Sequence, residues 1–235
     1  MNGSAAPPAG LLRTLAVAAA VTALATLLSY TLPRDWAATG VGLTFLLATY
    51  VLVVRLDEPL VIREYGLSLG GLLEPAPIFW PRLLRDMGHA IVAALIAAAV
   101  IYPCFWYGFR LWWKVDAFSA APLLPVVWRS LEELLAIALP EEAFYRGYLQ
   151  TALDKSLPQR ISVLGARIGP ALPLTSAIFA LGHLLTDVNP ARLAVFFPSL
   201  VFGLLRARTG GIGAAVLFHA MCNVFSWYLL ESYMR

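Results

Sequence analysis

Seven runs of apolar residues separated by short polar breaks mark the chain, at about 11–32, 36–54, 89–113, 122–154, 171–186, 190–206 and 212–232. A helix needs about 20 apolar residues to cross roughly 30 Å of hydrocarbon. The pattern therefore predicts an all-α fold, a polytopic membrane helix bundle of about seven transmembrane helices, the fifth and sixth being the shortest. The first run is too long for the apolar part of a secretory leader, and no small-residue cleavage site follows it, so it is predicted to stay as a spanning helix. The longest polar stretch, Arg55 to Gly88, carries Gly-Leu-Ser-Leu-Gly-Gly and Glu-Pro-Ala-Pro turn signals and is predicted as a surface loop with an interfacial helix. Pro103, Pro125 and Pro198 read as kinks that a bundle accommodates. Apart from a Pro/Ala/Gly-rich start before Leu11 no linker or repeat interrupts the pattern. Residues 1–235 are therefore read as a single membrane domain.

Composition agrees: 60% of the 235 residues are hydrophobic and 13% are charged. That excludes disorder and an ordinary soluble domain, whose charged share is about a quarter. A net charge of +3 is too slight to hold a polyanion, so no nucleic-acid partner is expected, and the lipid bilayer is the surrounding phase. Nothing in the pattern fixes an oligomeric state. Cys104 and Cys222 both lie in apolar runs and read as small buried hydrophobes, not as a disulfide.

Loop lysines and arginines set orientation. One end collects Arg13, Arg55, Arg63, Arg82, Arg85, Lys155, Arg160, Arg167, Arg206 and Arg208; the other collects Arg34, Arg110, Lys114, Arg192 and Arg235. Ten against five predicts a cytoplasmic N-terminus in a multi-pass protein of a prokaryotic cytoplasmic membrane.

Charges inside the apolar runs carry the chemistry, because each costs about 2.5–3.5 kcal/mol at the bilayer centre even on lenient scales. Leu-Pro-Glu-Glu-Ala-Phe-Tyr-Arg-Gly, from Leu139 to Gly147, places Glu141, Glu142 and Arg146 within two turns, so they must face the bundle interior or a wet cavity. Glu142 and Arg146 stand at i and i+4 and can pair; Glu141 is turned about 100° away without a local partner. Pro140 suits the first turn of a fresh helix. The fifth run carries Phe179-Ala-Leu-Gly-His183 and the seventh His219-Ala-Met-Cys-Asn223. Counted at about 1.5 Å per residue from the same end, Glu141, His183 and Asn223 fall at roughly 20, 18 and 17 Å, with His219 at roughly 11 Å. A shared depth for four polar side chains from three helices points to one site, although any single histidine could be a satisfied core residue acting as interhelical glue. His89, among Arg85, Asp86 and Gly88, reads as interfacial. Glu132 and Glu133 either form a second wet patch or cap an interfacial helix with Arg129, the second being preferred.

A buried carboxylate beside imidazoles can relay protons, hold a metal or activate water. For amide hydrolysis, Glu141 is the base, His183 helps to hold the water, and a neutral His219 with Asn223 one turn away supplies two donors to the oxyanion. Glu142 with Arg146 is then a fixed support behind Glu141.

Glu-Glu-Ala-Phe-Tyr-Arg (141–146), Phe179-x-x-x-His183 and His219-x-x-x-Asn223, in this order and each inside a spanning segment, resemble the signatures of the CPBP family, the CAAX-prenyl-protease and bacteriocin-processing glutamic intramembrane endopeptidases. The resemblance covers about the C-terminal half, placing the catalytic helices within 122–232; the first half adds only hydropathy and a Glu64-Tyr-Gly-Leu turn. It implies a peptide hydrolase without metal or other cofactor, with Glu141, His183, His219 and Asn223 catalytic, Glu142, Arg146 and Phe179 supporting, and a membrane-anchored peptide or protein as substrate. The form of the first signature resembles sorting-type members that process C-terminal anchors of exported proteins. The family core is often drawn with eight helices, against the seven counted here.

Two other readings use the same residues. In a zinc-dependent membrane peptidase, His183, His219 and Glu141 are ligands and Glu142 is the base, which leaves Asn223 without a role. In a non-catalytic proton-coupled transporter subunit or immunity protein, the carboxylates mark a proton path or a binding site, yet the related halves usual in transporters are not visible.

Overall fold

In a computed structural model, the protein is described over residues 8–158 and 161–234. Arg160 and Arg235 of the charge count, and the start of the chain through Pro7, lie outside the described residues. All seven apolar runs are helical. Helices α1 (Pro8–Thr31) and α2 (Arg34–Leu52) form an antiparallel pair; α3 (Pro59–Glu64) sits in the polar stretch; α4 (Trp80–Trp113) follows. Next come α5 (Leu123–Glu132), α6 (Leu139–Glu142) and α7 (Thr151–Ser156), then α8 (Ala171–Thr186), α9 (Phe196–Thr209) and α10 (Gly213–Tyr233). Five described helical stretches are long and apolar enough to cross a membrane; α8 is a shorter apolar helix, and the charged α5–α7 rod is not among the five. The chain is a multi-pass, all-α membrane bundle.

The packing is that of a membrane protein. Leu43, Leu47, Leu95, Ile96, Val100 and Trp112 point outward, each more than half exposed, as a lipid-facing surface does. Inside, Ala90, Ala94 and Ala98 form an i, i+4 row on α4 that meets Ala214, Ala215 and Phe218 of α10, small side chains letting the backbones approach. A second core gathers Ala18, Phe45, Phe144, Leu149, Leu153 and Phe179 from α1, α2, the long rod and α8.

Two local expectations are corrected. Helix α4 starts nine residues before the predicted Leu/Ala-rich run at 89, so the interfacial stretch Arg82–Gly88 is its first turns. The chain also does not break at Pro140. From Leu123 to Ser156 it is one helical rod, widened into π turns at Glu133–Ala138 and Ala143–Gln150. A proline cannot donate to the Ala136 carbonyl four residues back; the wider turn absorbs that lost bond, and α2 closes over the spot at Gly42, where a Cβ would stand 2.6 Å from the Ala136 oxygen.

The polar stretch is pinned by charge. Buried Glu74 accepts from Arg63 Nε at 2.9 Å and Arg82 Nη1 at 3.1 Å. The Arg63 hydrogen bond, with Arg82 and Ser68, holds its carboxyl well below the usual carboxylate range against the opposing effect of burial. A small hairpin, β1 (Ile161–Val163) and β2 (Ala166–Ile168), turns at Leu164 and Gly165, both with positive φ, the geometry of a two-residue type I′ loop.

Candidate active site

The site begins with a charge pair that has no exposed surface. Arg146 Nη1 donates to Glu142 Oε1 at 2.9 Å, both side chains being 0% exposed, and Arg146 Nη2 donates to the carbonyl and hydroxyl oxygens of Ser199 on α9. The guanidinium carbon lies 4.6 Å from the centre of the Phe179 ring and 5.2 Å from that of Phe202, so its faces are covered by aromatic rings. The pair at i and i+4 is as the sequence spacing predicts.

Glu142 Oε1 accepts a second donor, His219 Nδ1 at 2.9 Å. A carboxylate oxygen that already takes a guanidinium N–H can only accept here, so Nδ1 carries the proton. The opposite ring nitrogen, Nε2, then faces Glu141 Oε2 at 3.8 Å. This changes the expected role of His219: a neutral ring presents a bare Nε2 to the cavity, and His219 donates to an oxyanion once a second proton reaches it. Phe202 stacks on the imidazole at 4.7 Å and Phe179 meets it edge-on at 5.9 Å.

Glu141 Oε2 is buried and has no hydrogen-bond partner, which is the isolation its phase on the helix predicts. It lines a cavity of about 550 Å³ together with His183, His219 and Asn223. His183 is held by its Nδ1 at 3.0 Å from the Phe179 carbonyl oxygen; that acceptor places the proton on Nδ1 and leaves Nε2 free to accept from water. Phe179 thus touches Arg146, His183 and His219 at once, and Tyr145 stands perpendicular to it at 5.0 Å. The four polar side chains expected to share a depth do line one hollow.

Asn223 is not free. Its Nδ2 donates to Glu133 Oε2 at 2.8 Å, and Glu133 Oε1 lies 2.7 Å from Arg129 Nη2. Arg129 also pairs with Glu132 at 3.1 Å. Arg129 thus pairs with both acids, but the rod runs on through them, so they cap no separate interfacial helix, and Glu133 is buried and turned into the cavity. Sequence reasoning missed this link and missed Ser199 and Phe202. A regular helix would set Glu133 about 80° from Glu141, and nothing in the residue pattern announces the wide turn between them.

The hollow has a direction. Its floor is Phe45, Tyr145, Phe179, Phe202 and His219, and its lining continues through Ser29, Ala37, Arg129, Thr186 and Leu230 towards the end at which α1 turns into α2. Among the described residues no three His, Cys, Asp or Glu side chains converge as a metal-binding group. Cys104 and Cys222 are both free thiols; Cys222, half-buried, lines the cavity.

No curated protein and no solved structure matches the chain. Residues 122–225, which hold Glu133, Glu141, Glu142, Arg146, His183, His219 and Asn223, match the family model described as type II CAAX prenyl endopeptidase Rce1-like, so this part of the chain is similar to CAAX-type intramembrane proteases.

Proposed function

We propose that the protein hydrolyses a peptide bond next to the membrane anchor of its substrate, with Glu141 as the base that activates water. The observation that carries this reading is the unpartnered, buried Glu141 Oε2 facing a cavity between two fixed imidazoles. In the reaction, Glu141 takes a proton from water held with the help of His183 Nε2, and the water oxygen bonds to the scissile carbonyl carbon. Negative charge moves to the carbonyl oxygen, towards Asn223 Nδ2–H and, once protonated, His219 Nε2–H; one such donor is worth about 2.7–4 kcal/mol. Glu141 then returns its proton to the amide nitrogen as the C–N bond breaks, giving a carboxylic acid and an amine, between which the acid's proton passes to leave a carboxylate and an ammonium. Glu142 holds His219, and Arg146 holds Glu142.

All seven helical segments cross the membrane in this reading, with the N-terminus and the arginine-rich end in the cytoplasm of a prokaryote. The cavity then opens to the opposite side, which favours exported proteins with a C-terminal sorting or anchor segment as substrates. Comparative membrane proteomics of a strain carrying Glu141→Gln tests this: anchored precursors should accumulate, uncut on the non-cytoplasmic side. An unchanged membrane proteome, with the variant inserted at natural abundance, would contradict it.

A further inference from the structure

We propose that Glu133 is a positioning residue for the hydrolysis, acting through Asn223: its carboxylate selects which edge of the Asn223 amide faces the cavity. This rests on the proposed function, since it concerns the donor that Asn223 offers to the oxyanion.

A carboxamide has two edges of similar shape and opposite chemistry, one with two N–H donors and one a carbonyl acceptor. Rotated by half a turn, Asn223 would aim a lone pair at the developing negative charge. In a partly apolar hollow that choice must be imposed by a neighbour. Glu133 Oε2, 2.8 Å from Asn223 Nδ2, imposes it: a carboxylate accepts and cannot donate, so only the amino edge can bond to it. One N–H is spent on Glu133, and the second, on the same nitrogen, is left for the cavity that Asn223 lines.

Two further features keep Glu133 in this role. Arg129 Nη2, 2.7 Å from its other oxygen, compensates its charge; Glu133 is buried, at 2% exposure, and an unpaired charge there would be costly. Glu133 also opens the π turn Glu133–Ala138. A π turn takes about one residue more than an α turn, and that extra residue offsets the phase difference which would otherwise swing Glu133 away from Glu141. Both carboxylates consequently line the same hollow, one beside the attacking water and one behind the oxyanion donor. The wide turn thus has a function of its own, beyond accommodating Pro140.

Two measurements on the full-length protein in detergent micelles test this. The chain holds three asparagines, Asn2, Asn189 and Asn223, so selective isotope labelling resolves the Asn223 amide by NMR, assigned by its loss in Asn223→Ala. In the natural protein and in Glu141→Gln its two amino protons should be widely separated in shift, one bonded to a carboxylate; in Glu133→Gln the separation should collapse. This readout does not depend on cleavage. For kinetics, the substrate is the precursor that accumulates in Glu141→Gln membranes. Glu133→Gln, which keeps the shape but admits either amide edge, should lower kcat about tenfold with KM unchanged. The double variant Glu133→Gln/Asn223→Ala should be no slower than Asn223→Ala alone. An unchanged Asn223 amide in Glu133→Gln, losses that multiply in the double variant, or an effect confined to KM would each overturn the proposal. If Glu141→Gln cut as fast as the natural protein, the assignment of Glu141 as the base would fall while the amide measurement still judged Glu133.

Discussion

A guanidinium without exposed surface persists in an apolar helix because its neighbours replace water at both terminal nitrogens, while Nε stays without a hydrogen-bond partner. Arg146 has a carboxylate at i−4, two oxygens of Ser199 and two aromatic faces. Half of that set was legible in the sequence: the Glu142 spacing is a fixed consequence of helical geometry. The other half comes from α9, about fifty residues further along, and no local pattern ties Ser199 or Phe202 to Arg146. Removing one partner leaves the other charged and buried, which costs about 3–5 kcal/mol. Arg146→Met is therefore expected to lower the thermal unfolding midpoint strongly, as measured in micelles, while Glu142→Gln/Arg146→Met should recover much of the loss and still be inactive, because His219 has lost the acceptor that fixes its ring.

At the scale of the element, the decisive piece is the long helix bearing Glu133 and Glu141. Its existence and extent, 122–154, follow from hydropathy, and the rod runs from Leu123 to Ser156. Its interior does not follow. Pro140 signals a helix start in most settings, whereas here the backbone keeps helical angles through Ala138 and Leu139 and adjusts its pitch instead, because a neighbouring helix closes over the wide turn. Gly42 is that closure. A side chain there meets the Ala136 carbonyl, a backbone atom with no freedom to move aside, so Gly42→Val should push α2 off the π turn. Overpacking of this kind costs about 1–3 kcal/mol, and the displaced turn should reduce proteolysis more than tenfold while membrane insertion persists. The mirror substitution at Gly108, where a Cβ meets nothing within 4 Å, serves as the control and should leave the rate unchanged. The hairpin at Ile161–Ile168 was missed for a related reason: its two-residue turn begins with Leu164 in a conformation normally left to Asn or Gly, so Gly165 is the one turn signal and the usual Asn-Gly or Asp-Gly pair is absent.

For the whole molecule, the charges of the catalytic segment are gathered in or behind one hollow, and the outward faces of the long helices are largely apolar. This division explains how hydropathy alone could place the bundle, and how three short signatures far apart in the chain could point at one site: side chains excluded from lipid have nowhere else to go. It leaves open to the sequence only what depends on contact between helices, the proton placement on His219 and the hold of Glu133 on Asn223 above all. Among the described residues Glu141 is the carboxylate in that hollow with a buried oxygen and no hydrogen-bond partner, and water activation is assigned to it. The direct measurement is the cleavage rate of the accumulated precursor by purified natural protein and by purified Glu141→Gln, with equal unfolding midpoints verified beforehand. Loss of the general base predicts a rate about a thousandfold lower for the variant; cleavage within a few-fold of the natural rate would show that water is activated elsewhere.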